Sequence, residues 1–301
     1  MTSDSIAVLL RVEGIDDPLA AIRRRARALV ERALSMGWHG PPFDVNEVAS
    51  LCGMKVENRT DLAPDQDACV MLQRILVNAT KPRRRRRYSV AHEIGHTLFP
   101  DYEEELRRIG RMYRRIGDDT ELERLCQAAA AEILMPLDAF VKSTKTLNGR
   151  TLCGVFALSD LYDVSTEAAI RRVVETSDEP MVAVLVRPRD ASTGEWIEVR
   201  RGDGHTPFAS LGVASVFAVA HLGSGSLNLR GATPPKGSAA ERAWKRVALA
   251  RNAVRVETRD AESWQHVGID GSWHCEAVAL PKASRAPREV LCLMRRPNAA
   301  R

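Results

Sequence analysis

"RRRRRYSVAHEIGHTLF", residues 83–99, decides how the chain is read, because it sets five arginines immediately before a His-Glu-x-x-His pattern. His92 and His96 stand four apart, so on a helix they are rotated by about 40° and separated by about 6 Å along the axis, close enough for both imidazoles to hold one ion. Glu93 then falls beside them. A catalytic zinc takes three protein ligands and leaves a fourth position for water, whose pKa the ion lowers and whose proton a neighbouring carboxylate accepts. Glu93 is placed for that proton, not for ligation. Val90, Ala91, Ile94 and Leu98 surround the histidines with apolar side chains, which predicts a buried helix and not a surface helix with two solvated imidazoles. Two imidazoles and a carboxylate need a reason to be buried together, and a metal supplies one.

A third ligand has to come from elsewhere. The helix is expected to run from Ser89 to Phe99 and to stop at Pro100, and the next strongly helical run, "ELERLCQAAAAEILM" at 121–135, offers Glu121, Glu123 and Glu132. Glu123 shares a face with Cys126, Gln127 and Ala130, all small or modest, so that face can lie close against the histidine helix. Glu121 and Glu132 fall to the sides of this stripe, where a glutamate is expected at the surface. Glu123 is the better placed of the three.

The arginines at 83–87 read as a solvated loop before a buried helix. Binding of nucleic acid through them is the less favoured alternative, and contact with an acidic stretch of a protein substrate accounts for them at least as well. "LSDLYDVSTEAAIRRVV", residues 158–174, reads as helix, tight turn and helix, with Asp163 tolerating the left-handed conformation and Ser165 capping the second helix. As a DNA reader it would set Arg171 and Arg172 on phosphates; as a packing subdomain, the preferred reading, it needs no ligand.

Bulk composition agrees with an ordinary intracellular protein. The 301 residues are 45% apolar and 28% charged, and a formal charge of +5 permits a polyanionic partner without requiring one. The six cysteines form no Cys-x-x-Cys pair and mostly sit in apolar runs, which predicts reduced core residues and a cytoplasmic location. The apolar stretch near the start is too short for a signal peptide, and no eighteen apolar residues run together, so no membrane partner is expected.

Along the chain, helices are expected at 18–36 and from Asp44, with Asp44 as cap, Glu47 reaching back and Gly53 as stop. "ACVMLQ" and "RILVN" read as neighbouring strands. Residues 103–117 read as an amphipathic helix with Leu106, Ile109, Tyr113 and Ile116 on one side, followed by a turn and N-cap at 117–120. Two short helices fill roughly 151–175. Past residue 180 the texture changes to β-branched runs with one helical stretch near 239–250, and Trp196, Trp244, Trp264 and Trp273 read as core. The division expected is 1–150, 151–178 and 179–301.

"RYSVAHEIGHTLF" resembles the Arg-Phe-Thr-x-Ala-His-Glu-Leu-Gly-His block of the ImmA/IrrE family of zinc peptidases. "ERLCQAAAAEILMP", residues 123–136, is similar to that family's second block, in the same order and at a fitting separation. "DVNEVASLCGMKV" and "ILVN" extend the resemblance over about residues 20–175. Cys126 and Gln127 stand where the family usually has Ala-Asn, and Ala129 where it has Phe. The resemblance implies His92, His96 and Glu123 as ligands of Zn2+, Glu93 as catalytic base, and Arg87 as partner of a carboxylate. It implies a mainly helical zincin-like peptidase core with a small sheet over 1–150 and a helix-turn-helix-like subdomain over 151–178; with the β-branched texture past residue 180, the fold expected is α+β with a strand-rich mixed α/β domain over 179–301, which by analogy with a relative's sensor-like domain has a sensory or regulatory part. The activity implied is that of an HExxH zinc metalloprotease, a hydrolase whose protein substrate is a helix-turn-helix repressor and whose cut switches on a stress response or mobile-element transfer. A DNA-binding regulator using residues 158–174 and Arg83–Arg87, and a non-cleaving scaffold with a structural zinc, are the competing functions. Tyr88, Tyr113 and the arginines are eligible to steady the oxyanion.

Overall fold

Asp17 accepts a hydrogen bond from Leu19 N at 2.8 Å and Pro18 fills the first turn, so the second helix starts where its orphan N–H groups are satisfied and a fixed φ is no burden. The structure, a computed structural model, describes residues 3–71, 73–102, 120–190, 209–218, 232–247, 254–257, 262–264, 269–281 and 287–296. The expected helix at 103–117, its following turn, Tyr113 and Trp196 lie outside the described residues. In chain order the elements are helices α1 (Ser3–Glu13), α2 (Pro18–Ser35) and α3 (Val45–Leu51), strands β1 (Lys55–Arg59), β2 (Ala68–Met71) and β3 (Arg74–Asn78), then helices α4 (Arg83–Thr97), α5 (Thr120–Leu134), α6 (Leu137–Thr146), α7 (Leu152–Leu161) and α8 (Thr166–Glu175). Strands β4 (Met181–Asp190) and β5 (Ala209–Ala218), helix α9 (Ala239–Val247), and strands β6 (Val254–Glu257), β7 (Glu262–Trp264), β8 (Ile269–Pro281) and β9 (Pro287–Arg295) follow.

Residues 1–146 and 156–169 form one compact unit, and residues 147–155 and 170–301 a second. In the first, β3 is the middle strand of a three-stranded sheet, parallel to β1 and antiparallel to β2. Its Ile75, Leu76 and Val77 are all buried, as a strand covered on both faces requires. Asp44 caps α3 by accepting from Asn46 N at 2.9 Å. Gly53, at φ +70°, ends α3 by turning Met54 N back onto Ala49 O, a left-handed position that glycine takes without strain. Ile6 and Leu9 of α1, Ile22 and Ala26 of α2, Leu98 and Phe99 at the end of α4, and Leu122, Leu125 and Ala129 of α5 make one apolar cluster. Each fully buried Leu or Ile there contributes about 1.5–3 kcal/mol.

The second unit carries an antiparallel sheet in the order β5-β4-β9-β8-β6, with β7 pairing β8. Helix α9 packs on β6, β8 and β9, and Trp264 and Trp273 are buried in the core this closes, with Trp244 partly buried against it. Glu276, also buried, is satisfied by Leu152 N at 2.8 Å and by Arg295 at 3.1 Å, as a buried carboxylate must be. The chain is therefore a mixed α/β protein in which sheets and helices are segregated as in the α+β class. Among the described residues no helix is long and apolar enough to cross a membrane.

Two expectations change. The arginine run is not a loop but the first turn and a half of α4, which begins at Arg83 and ends at Thr97. Cations at a helix N-terminus oppose the helix dipole, and three carboxylates offset them. Arg83 meets Asp163 at 2.9 Å, Arg84 meets Asp160 at 2.6 Å and Ser159 at 3.0 Å, and Arg85 pairs with Asp67. Arg86 donates to Asn58 Oδ1 at 3.2 Å, and Arg87 donates to Phe43 O at 2.9 Å and pairs with Asp163 at 3.2 Å. Asp163 itself has φ +50° between α7 and α8, and Ser165 Oγ accepts from Ala168 N. Second, the cysteines form no disulfide, but Cys153 is exposed while Cys126, Cys275 and Cys292 are buried. Helix α6 had no sequence signal strong enough to stand out; it starts directly after Pro136, whose carbonyl accepts from Phe140 N.

Candidate metal centre

Helix α4 reaches α5 closely because Gly95 has no side chain. A Cβ there would lie 3.0 Å from Cys126 O and 3.1 Å from Cys126 Cα, nearer than non-bonded carbons tolerate. This contact sets His92 and His96, on the facing turns of α4, opposite Glu123, one turn before Cys126 on α5. His92 Nε2 lies 3.0 Å from Glu123 Oε2, and His96 Nε2 lies 3.5 Å from Glu123 Oε1. The two imidazoles meet edge to face with centroids 5.0 Å apart.

One ligand atom from each of these three residues lies within 4.8 Å of the others. Tetrahedral bonds of about 2.1 Å put neighbouring ligand atoms about 3.4 Å apart, so the spacing matches a shared ion with little adjustment. Two imidazole nitrogens and one carboxylate oxygen form a donor set that zinc accepts. His96 is 3% exposed, whereas the side chains of His92 and Glu123 keep 16% and 24%, so the group is floored by protein on one side and open on the other. That opening is where a fourth ligand has access.

The electrostatics suit this use. Burial, helped by the neighbouring His92, lowers the His96 pKa to about 4, so the ring is neutral and can offer a lone pair. Glu93 keeps part of its surface open to solvent, yet the protein packed around its carboxyl pushes its pKa up to about 7, with the Glu123 charge adding to the rise and His92 opposing it. A carboxyl poised there can both take and return a proton near neutrality. His92 stacks on Tyr88 with centroids 6.0 Å apart, and Arg85 lies over the Tyr88 ring.

The sequence-based placement of Glu123 beside His92 and His96 matches this geometry. Glu121 is exposed on the first turn of α5. Glu132 corrects the expectation of a surface glutamate: it is buried, 3.5 Å from Arg27, and accepts from Leu137 N at 3.0 Å at the start of α6. A glutamate five residues before a helix start, followed by Pro136, was the available signal. Two further side chains stand close to the group. Cys126 Sγ lies 3.3 Å from His96 Nδ1, and its thiol pKa is raised well above the usual range by burial and by Glu123 and Glu93. Tyr102 is buried, its phenol pKa raised by burial and by the charge of Glu93, and its Oη has no hydrogen-bond partner among the described residues.

Comparison with known proteins bears on the same segment. Residues 54–174 match the model of the IrrE N-terminal-like domain, Peptidase M78. The chain is 29% identical over 114 residues to the radiation response metalloprotease IrrE of Deinococcus radiodurans, covering 38% of this chain and 34% of that one. It is 32% identical over 124 residues to the protein of the same name from Deinococcus deserti, covering 40% and 43%. The matched stretch thus spans less than half of either relative's length. A solved Mycobacterium tuberculosis transcriptional regulator shares the fold, with TM-score 0.55 and 11% identity over 97% of this chain and 80% of that one. Motif, ligand geometry and comparison all fall on one segment, in which residues 54–174 are similar to the IrrE N-terminal-like domain of the Peptidase M78 family.

Proposed function

We propose that the protein is a zinc-dependent endopeptidase, with His92, His96 and Glu123 as the metal ligands and Glu93 as general base and acid. The observation that carries this is the convergence of three ligand atoms within 4.8 Å next to a carboxyl with a pKa of about 7. Zinc bound there supplies Lewis acidity, lowering the pKa of water and polarising a peptide carbonyl. Glu93 accepts the proton of the attacking water and hands it to the departing amine. Glu93 is only partly exposed, and the burial of its carboxyl holds its pKa near 7, where it can both take and return that proton.

The substrate we infer is a DNA-binding repressor of the helix-turn-helix class in the cytoplasm, cut to release a stress or mobile-element response. The radiation-response name of the two relatives supports a stress role by extension. We assign peptidase chemistry to residues 1–150, packing to 151–178 and regulation to 179–301. A DNA-binding role for the arginine run has little support, since Arg83, Arg84, Arg85 and Arg87 are engaged by Asp67, Asp160 and Asp163.

The test is metal analysis of the purified protein together with incubation against the repressor encoded beside it, followed by mass spectrometry. Zinc at one equivalent, repressor fragments, and their loss in Glu93→Gln with zinc retained support the proposal. An intact repressor beside zinc-loaded protein would favour the scaffold instead, in which Glu93→Gln is silent and His92→Ala unfolds the core.

A further inference from the structure

His96 has two nitrogens with different neighbours. Nε2 faces Glu123 Oε1 at 3.5 Å, and Nδ1 faces Cys126 Sγ at 3.3 Å. Both His96 and Cys126 are out of reach of solvent, at 3% and 0% exposure, so water cannot stand in for either partner. A neutral imidazole donates from one nitrogen and accepts at the other. Without metal, the carboxylate of Glu123 calls for the proton on Nε2, which leaves Nδ1 as an acceptor. With metal, Nε2 gives its lone pair away and the proton moves to Nδ1, which becomes a donor. A carbonyl or carboxylate at the Cys126 position serves only the second state. A thiol is both a weak donor and a weak acceptor, and serves both.

We propose that Cys126 is a positioning residue for His96, its S–H donating to Nδ1 in the metal-free protein and its sulfur accepting from Nδ1–H when Nε2 is a ligand. One proton leaves Nε2 and one arrives at Nδ1, so the ring stays neutral and the thiol keeps its hydrogen throughout. Gly95 makes this possible, because the backbone of Cys126 comes within 3.0–3.1 Å of where a Cβ on residue 95 would be, bringing Sγ within reach of the ring. The proposal rests on the zinc-ligand reading of His96.

Its test uses the full chain in metal-free and zinc-loaded forms. The infrared S–H stretch of Cys126, identified by its loss in Cys126→Val, is expected at the low frequency of a donating thiol without metal and to move up on zinc binding. Cys126→Ala fits the space but neither donates nor accepts, and Cys126→Val fills it with a slightly larger apolar group; both are expected to weaken zinc binding, measured by competition with a chromophoric chelator, about 10–100-fold. Cys126→Ser, which keeps both capacities, is expected to recover most of that loss. An S–H band that does not move on zinc uptake, or wild-type affinity in Cys126→Val, overturns the proposal. A wild-type protein that takes up no zinc instead overturns the ligand assignment, and the metal-free S–H band still reports whether the thiol is bonded to the ring.

Discussion

Replacing Gly95 by alanine separates helix propensity from metal-site geometry. Alanine in a helix interior favours the folded state by about 0.8–1.0 kcal/mol over glycine. Its Cβ, however, would lie 3.0 Å from Cys126 O, 3.1 Å from Cys126 Cα and 3.3 Å from Cys126 Cβ. Ordinary contact starts near 3.5 Å, so α4 and α5 must part by about 0.5 Å, and since the atoms met first are backbone, α5 moves as a body. Overpacking of this kind costs about 1–3 kcal/mol, leaving a net loss of about 0–2 kcal/mol. The metal site feels the same shift more sharply. Glu123 sits one turn from Cys126, and ligand distances are tolerated only to about 0.2 Å. Gly95→Ala is therefore expected to lower the unfolding temperature of the metal-free protein by at most a few degrees while weakening zinc binding about tenfold or more. Chelator competition and a melting curve on the same preparation check both. A variant that melts higher by the full propensity gain and binds zinc like the wild type would refute the close-approach argument.

Glu93→Gln is expected to retain zinc and lose peptide cleavage by about 10²–10⁴-fold, read by fragment appearance against metal content. In the metal-free protein, the raised Glu93 pKa withdraws stability as pH climbs from about 4.5 to about 7, because the unfolded carboxyl ionises first. The lowered His96 pKa adds stability as pH climbs from about 4 to about 6.5, because the unfolded imidazole gives up its proton last. Each effect is about 3 to 3.5 kcal/mol, so they nearly cancel, and Glu93→Gln should expose a melting temperature that rises from pH 4 to 6.5; a flat profile counts against the His96 shift. Asp163→Asn keeps a residue that tolerates φ +50° but withdraws the charge shared by Arg83, Arg84 and Arg87. It is expected to destabilise the protein by about 2–3 kcal/mol, measured by denaturant titration of the first unit's signal.

Legibility in the sequence was high wherever a local rule acts alone. Asp44, Gly53, Asp163 and Ser165 each mark a cap or a turn by their own backbone chemistry, and each stands where that chemistry requires. The spacing of His92 and His96 fixes their common face without reference to the rest of the chain. Glu123 was legible through its small neighbours, since Cys126 lies against Gly95 of α4 and Ala130 is fully buried. What escaped depends on partners remote in sequence. Arg84 and Arg87 look like free charge until Asp160 and Asp163, more than seventy residues on, are folded beside them. Glu132 looks like a surface residue until Arg27 arrives from α2. Cys126 registers in the sequence as a mere departure from a usual alanine, and only the fold sets its sulfur against an imidazole nitrogen.

The arginine run has a mechanical consequence. Five consecutive helical residues, stepped by about 100° each, point around the whole circumference of α4. Their partners are correspondingly spread, from Asp67 and Asn58 to Phe43 O, Asp160 and Asp163. Turning the helix about its own axis in either sense strains bonds on every side, so the run acts as a key that fixes the azimuth at which His92 and His96 emerge two turns later.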